Sequence, residues 1–338
     1  MEDSRYSRQI IFENIGEEGQ KVLAGSSVAI IGLGALGTVS ANNLARAGVG
    51  KIRLIDRDYV ELSNLQRQAL YDEEDVKSEK PKAIASAEHL SRINSSIKLE
   101  PIISDVNPSN IEQLIDGFDL ILDCTDNFEV RLLLNEACDH HKIPWIYCGA
   151  LGSYCMTMNI IPGETPCFLC FTGNNVSTDR HHTCSTAGVL NMITNIAASV
   201  QSAEALKILL RSDEIRTSLF YMDVWNNTTE YLDIQKNPEC PVCGEHHYTY
   251  LGQAAGTYTA SLCGRNEIQV VPGKKIDIDF KNLAAALEKL GDVNFTSFML
   301  KFNGGSFGFK LFQDGRAIIE NARDENHAKS IYMEYIGL

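Results

Sequence analysis

The chain has 338 residues, 44% of them hydrophobic, and a net charge of −14. That is ordinary globular composition with room for one large domain, or one large and one small. The negative charge disfavours non-specific nucleic-acid binding, and the most apolar helix-like stretch, residues 187–210, carries Asn191, Asn195, Gln201, Glu204 and Lys207, which reads as a buried helix and not a membrane span.

The opening residues Met1, Glu2, Asp3, Ser4 and Arg5 are polar and no apolar run follows. No targeting segment is expected, and the chain reads as cytoplasmic. Residues 1–25 carry two short helical patterns. Residues 27–56 then give an apolar strand, a glycine run Gly32-Leu33-Gly34-Ala35-Leu36-Gly37, a helix-like segment and a second strand ending in Asp56. This is the pattern of a nucleotide-binding βαβ unit. Gly32 serves a tight turn, Gly34 lets backbone approach a phosphate, and Gly37 lets helix and strand pack closely. The helix N-terminus offers free N–H groups and a positive dipole end. Asp56 suits ribose hydroxyls. A glycine turn without a ligand is the plainer alternative.

A polar loop follows at 57–67, longer than a strand-to-helix turn requires, and long loops in compact domains are often functional. Helices are expected at 81–93, 110–115 and 128–141, and strands at 97–103, 120–122 and 143–147. Strands alternating with helices imply a mostly parallel, doubly wound α/β sheet of Rossmann type. Segments 152–160, 219–224 and 231–234 read as an antiparallel extension of it. Composition shifts near Cys243. The expected domains are 1–244, a linker at 245–262 and a small α+β domain at 263–338, with strands at 268–271, 298–302 and 307–312 and helices at 280–290 and 326–336.

The chain has ten cysteines, and Cys167-Phe168-Leu169-Cys170 and Cys240-Pro241-Val242-Cys243 are both C-x-x-C. In a reducing compartment such pairs suit metal or redox chemistry. Two pairs match a four-thiolate zinc site, and four thiolates leave no open position, so the zinc reads as structural. A redox C-x-x-C is the rival reading.

Ser63-Asn64-Leu65-Gln66-Arg67-Gln68 follows Asp56 closely, and Lys82 opens the next helix. Hydride transfer builds no charge on a phosphate, so a dehydrogenase does not need Arg67 and Lys82 there. Attack on a phosphate does build charge, and Arg, Lys and Mg²⁺ stabilise it. Asp126, beyond the strand ending at Asp123, stands where a doubly wound sheet places a Mg²⁺ or ribose ligand. Surface charge is the alternative for Arg67 and Lys82.

Taken in order, Arg-Tyr-x-Arg-Gln, Gly-x-Gly-Ala-Leu-Gly, Asp-x-Asp-x-Val (Asp56, Asp58), Ser-Asn-Leu-x-Arg-Gln, Pro-Lys, Asp-Cys-Thr-Asp-Asn and the two C-x-x-C pairs resemble the ThiF/MoeB family over residues 4–244. The resemblance implies a homodimeric, Mg·ATP-dependent adenylyltransferase. Its substrate is a ubiquitin-like sulfur-carrier protein ending in Gly-Gly, whose carboxylate attacks the α-phosphate. A sulfur donor of cysteine desulfurase or rhodanese type then converts the acyl-adenylate to a thiocarboxylate. It implies nucleotide contacts from Gly32, Gly34, Ala35, Gly37, Asp56, Asp58, Ser63, Asn64, Arg67, Gln68, Lys82, Asp126 and Asn127, with Asp126 on Mg²⁺. Ala35 stands where some relatives have Gly. Arg8 corresponds to an arginine that reaches the partner's nucleotide, and Cys184, near His181 and His182, to a cysteine that some members link covalently to the carrier. The tail resembles that of homologues from Gram-positive bacteria. It lacks a rhodanese-type cysteine loop, and Cys263 reads as a structural thiol. The carrier belongs to the molybdopterin or the thiazole pathway, with molybdopterin preferred. An NAD-type oxidoreductase and a non-catalytic nucleotide-binding scaffold are the readings from other classes.

Overall fold

The computed structural model describes residues 5–173, 188–252, 258–261, 267–272 and 278–337. They fall into two compact units, Met1–Gln253 and Ala254–Leu338.

The first unit opens with two helices, α1 (Ser7–Ile10) and α2 (Gly16–Gly25), before β1 (Ser27–Ile31), α3 (Ala35–Ala47) and β2 (Lys51–Asp56). After the loop come α4 (Glu73–Lys77), α5 (Lys82–Ile93), β3 (Lys98–Ile103), α6 (Ile111–Ile115), β4 (Leu120–Asp123) and α7 (Phe128–His141). The unit continues with β5 (Trp145–Leu151), β6 (Tyr154–Ile160), α8 (Phe168–Thr172), α9 (Asn191–Leu209), β7 (Leu219–Asp223) and β8 (Thr228–Leu232). The eight strands form one sheet, ordered β3-β2-β1-β4-β5-β6-β7-β8. It is parallel from β3 to β5 and antiparallel from β5 to β8. The α/β class, the doubly wound parallel part and its antiparallel extension are as the sequence pattern predicts.

Two boundaries move for local reasons. The expected strand at 143–147 begins at Trp145 because Lys142 turns left-handed (φ 56°) and the Ile143 N–H closes the end of α7 on the Cys138 carbonyl, 3.0 Å away. The last strand begins at Thr228, three residues before the expected 231–234, and all five of its residues are exposed, so no apolar alternation marks its start.

The central strands are buried on both faces, with Val28, Ala29, Ile30, Ile52, Leu54, Leu120, Ile121 and Leu122 without solvent exposure. Helices on each side bury that surface. Helix α9 carries a polar key into one of these layers. Gln201, fully buried, donates to the carbonyls of Asp123 (2.9 Å) and Ile146 (3.1 Å) and accepts from Ser40 Oγ (2.9 Å). This ties β4, β5 and α3 together at the sheet's C-terminal edge. Among the described residues no helix is long and apolar enough to cross a membrane.

The second unit is a six-stranded antiparallel sheet, β11-β12-β13-β14-β10-β9, with two helices. In chain order its elements are β9 (Tyr258–Ser261), β10 (Glu267–Val271), α10 (Phe280–Leu287), β11 (Asp292–Phe295), β12 (Met299–Asn303), β13 (Gly308–Phe312), β14 (Ala317–Glu320) and α11 (Glu325–Tyr335). Val270, Leu300, Phe302, Phe309, Leu311 and Ile319 occupy one face of the sheet and pack against Phe280, Leu287, Ile331 and Tyr332 of the helices. Three strands lie where none is expected from the sequence. β11 is a polar edge strand, β14 is only four residues long, and β9 falls within the stretch read as a linker. Within that stretch the N–H groups of Thr249, Tyr250 and Leu251 are also fixed, at 2.7–2.9 Å, on the carboxylate of Glu136.

Candidate active site

The site is built where β1, β2 and β4 end. Gly32 takes φ 89°, and a Cβ there would lie 2.8 Å from the Cys124 carbonyl oxygen. At Gly37 a Cβ would come within 1.9 Å of the Gly32 carbonyl oxygen. Gly34 differs, since a Cβ there would meet only Gln68 Nε2 at 3.8 Å. The fold therefore requires glycine at 32 and 37, whereas the space beside Gly34 is open. Gly34 is the N-cap of α3 and Ala35 its first residue, and no side chain caps that N-terminus. Its N–H groups are the unsatisfied donors every helix start presents.

Asp56 sits against this turn. Its Oδ2 accepts from the Leu33 N–H at 2.6 Å and its Oδ1 from the Asp58 N–H at 2.7 Å. The loop after it folds back onto the start of α5. Tyr59 bridges Pro81, and the Lys82 N–H donates to the Asp58 carbonyl at 2.9 Å. The Lys82 side chain is 8% exposed and its Nζ lies 3.4 Å from Asp58 Oδ2. Burial works against the Lys82 ammonium, but Asp58, Asp56 and Asp126 outweigh it and raise its pKa above the ordinary lysine value. Burial likewise raises the Asp56 carboxyl, with Lys82 opposing it. Lys82 thus pairs directly with Asp58, and the charges of Asp56 and Asp126 act on it from farther away.

Tyr71, not anticipated from the sequence, locks the arrangement. Its hydroxyl lies 2.8 Å from the Leu33 carbonyl, 3.3 Å from the Lys82 carbonyl and 3.0 Å from Ser86 Oγ. It joins the glycine turn to α5, and nothing in its sequence neighbourhood marks it.

The remaining loop residues divide by role. Buried Asn64 forms a capping box with Glu61, its Oδ1 accepting from the Glu61 N–H at 3.1 Å. Ser63 is exposed, and Arg67, partly exposed, donates from Nη1 to the Ser63 carbonyl at 3.1 Å. Gln68 is only 4% exposed, and among the described residues its Oε1 has no hydrogen-bond partner. The Gln68 amide oxygen beside Gly34 is thus open to a polar ligand or a water.

Asp126 is exposed, and among the described residues its carboxylate has no hydrogen-bond or ion-pair partner. Asn127 caps α7, accepting from the N–H groups of Glu129 (2.9 Å) and Val130 (3.3 Å). Beneath this turn lies an ion pair absent from the sequence-derived site. Fully buried Asp123 accepts from Thr125 N and Oγ1 through one oxygen and from Arg131 Nε, 2.9 Å away, through the other. Arg131 also donates to the carbonyls of Thr125 and Cys148. A charge-assisted network of this kind fixes the 124–127 turn.

Arg8 is exposed and stands apart. Its neighbour Gln9 donates to the Ala47 carbonyl at 2.8 Å, which places α1 at the C-terminal end of α3, away from Gly34. Helix α3 is 13 residues long, about 20 Å at the standard rise. Cys184, His181, His182 and Cys263 lie outside the described residues.

The four cysteines of the two pairs converge, with all sulfurs within 4.8 Å of one another. Cys167 Sγ lies 3.6 Å from Cys240 Sγ and 3.9 Å from Cys170 Sγ, and Cys170 Sγ lies 3.5 Å from Cys243 Sγ. A disulfide is about 2 Å long. The edge of a ZnS₄ tetrahedron with bonds of about 2.3 Å is roughly 3.8 Å, which is the spacing found. Asn135 Nδ2 donates to Cys167 Sγ (3.6 Å) and the Asn237 N–H to Cys170 Sγ (3.5 Å), the outer support such thiolates need.

A model of the ThiF family matches residues 6–242. The chain is 40% identical over 336 residues to the sulfur carrier protein ThiS adenylyltransferase of Bacillus subtilis, covering 98% of this chain and 99% of that one. It is 35% identical over 245 residues to the molybdopterin-synthase adenylyltransferase of Salmonella typhimurium, covering 71% and 96%. Among solved structures, that of E. coli MccB with ATP superposes with a TM-score of 0.63 over 71% of this chain and 74% of the other, a likeness of fold at 24% identity. Since the family match covers residues 6–242, from the first helix to within the second cysteine pair, the chain belongs to the ThiF family.

Proposed function

We propose that the protein is an ATP-dependent adenylyltransferase that activates the C-terminal Gly carboxylate of a small ubiquitin-like sulfur-carrier protein. The observation that carries this reading is the buried Lys82, paired with Asp58 beside the Asp56 that the glycine turn holds. Hydride transfer gives such a cation no task, whereas attack on a phosphate does. The carrier carboxylate attacks the α-phosphate of ATP, an acyl-adenylate forms and pyrophosphate leaves. The carboxylate is already ionised at neutral pH, so no general base is needed, and positioning with charge neutralisation supplies the rate.

The residues take these parts. The N-terminus of α3 and the open space at Gly34 receive the phosphates. Asp56 keeps acceptor capacity beyond its two backbone bonds and takes the ribose. Asn64, Arg67 and Lys82 hold the triphosphate, with Ser63 and Gln68 beside them. A triphosphate carries more negative charge than Arg67 and Lys82 neutralise, so further positive charge is needed there. Asp126 suits the Mg²⁺ that accompanies ATP and supplies that charge, because a carboxylate is the ligand such an ion prefers. Arg8 acts on the nucleotide of a partner subunit in a homodimer. The tetrathiolate holds zinc as a structural clip, since its sulfur spacing fits that ion.

The relative from Bacillus subtilis aligns through the C-terminal unit as well and is named for ThiS. That favours a ThiS-type carrier of the thiazole pathway, with the molybdopterin carrier as the second reading on the strength of the Salmonella relative. Thiocarboxylate formation then needs a sulfur donor of cysteine desulfurase or rhodanese type, and Cys184 is the candidate for a covalent link to the carrier.

The test is ATP–pyrophosphate exchange with each purified carrier and with carriers lacking the last Gly. Exchange that requires the intact tail is expected, and the better carrier names the pathway. ATP binding without exchange on either carrier would overturn the reading.

A further inference from the structure

Three donor groups outside both sites described so far lie together at the C-terminal end of α7. Glu112, His140 and His141 each present one ligand atom, and these lie within 4.8 Å of one another. We propose that they form a second divalent-metal site, separate from the tetrathiolate, which takes a borderline transition ion such as Zn²⁺ or Co²⁺ and leaves its remaining positions to water.

The chemistry of the donor set points to this class. Two imidazoles and one carboxylate match borderline ions and suit neither Ca²⁺ nor Mg²⁺, which prefer all-oxygen shells. Three protein ligands leave open positions, unlike four thiolates. The geometry is close to what is needed. His141 Nε2 lies 2.8 Å from Glu112 Oε1. Two ligands of one ion at about 2.0–2.1 Å stand roughly 3.4 Å apart in a tetrahedron, so this pair opens by only about half an ångström.

The surroundings favour a cation. His140 and His141 occupy the last turn of α7, where the helix dipole is negative. Lys142, the next residue, has its ammonium 3.4 Å from Asp139 Oδ2, which draws that charge to another partner. His140 is held edge-on against the ring of Tyr248 (5.4 Å between centroids), and the Tyr248 hydroxyl is fixed at 2.7 Å on buried Asp139. The imidazole is thus restrained before any ion arrives. All three ligands are exposed, so the ion exchanges with solvent instead of being locked in during folding.

The full-length protein carrying one equivalent of Zn²⁺ is titrated with Co²⁺, followed by visible absorption and by equilibrium dialysis. The expected result is one further equivalent of Co²⁺ with weak d–d bands and no thiolate charge-transfer band. A His140→Ala/His141→Ala double variant should bind it at least tenfold more weakly, and Glu112→Gln should show a smaller loss. The melting temperatures of these variants without Co²⁺ should match the parent, because the replaced groups are exposed. Cys167→Ser should keep this Co²⁺ site, which separates its failure from failure of the zinc assignment. Absence of the second equivalent, or its full retention in the double variant, overturns the proposal.

Discussion

Gly34 and Gly37 stand three residues apart in one turn, yet different neighbours constrain them. A methyl group at 37 would sit 1.9 Å from a backbone carbonyl oxygen, while one at 34 would meet only the end of a side chain at 3.8 Å. Gly37→Ala should therefore cost about 3 kcal/mol or more. Gly34→Ala should leave stability within about 0.5 kcal/mol but weaken ATP binding by about tenfold, or about 1.4 kcal/mol. Thermal melts and nucleotide titrations check the pair. A Gly34→Ala protein that binds ATP normally would remove this position from the phosphate site. The motif was legible in the sequence, with Gly32 read as serving the turn, Gly37 the packing and Gly34 a phosphate, and the structure supplies the close contacts behind the first two. For Gly37 the constraint is local, the Gly32 carbonyl oxygen, whereas the openness at Gly34 is set by Gln68, a residue farther along the chain.

At the scale of elements, β2 and β3 are joined by charge as well as by backbone pairing. Glu100 on β3 receives Lys98, Arg53 and Lys51. Burial would raise its pKa, but these cations lower it from the ordinary 4.5 to about 2. The unfolded chain binds the proton more readily, so this stabilisation is complete above about pH 4.5 and is lost as pH falls towards 2. The stability gap between the parent and Glu100→Gln should close across that window in denaturant melts, and a gap constant with pH would exclude Glu100 as its source. Helix α7 is the second element with a distributed task. Asn127 caps it, Arg131 supports the Asp126 turn, Asn135 donates to a cysteine sulfur and Glu136 holds the chain beyond the second cysteine pair. Its apolar pattern announced a helix, but these polar roles depend on partners up to 115 residues away. The tetrathiolate belongs at this scale too. Cys167→Ser should lose zinc by elemental analysis, and a loss of about 3 kcal/mol should lower the melting temperature by roughly 6–12 °C. Unchanged metal content would dismiss the four-thiolate site.

For the whole molecule, the question is whether one chain makes a complete site. Arg8 lies at the far end of α3 from Gly34, about a helix length away within its own chain. Completion from a partner predicts that Arg8→Ala and Asp126→Ala chains, each inactive alone, complement when mixed. Random pairing gives half mixed dimers with one intact site each, so exchange should recover to about a quarter of the parent rate. Verified mixed dimers without activity would show that Arg8 does not act in trans.

The sequence by itself determined the βαβ nucleotide unit, the parallel sheet with its antiparallel extension and the presence of two cysteine pairs. Each of these is written in local periodicity, glycine spacing or residue type, which a single segment carries. Only the tertiary structure decided that the two pairs, 73 residues apart, meet at tetrahedral spacing, that buried Lys82 pairs with Asp58, and that Tyr71 and Arg131 hold the turns around them. It also supplied the strands β9, β11 and β14 of the second unit, whose short or polar segments acquire strand form only by pairing with neighbours. Such features consist of distances between remote segments, and a linear pattern contains no distance until the chain has folded.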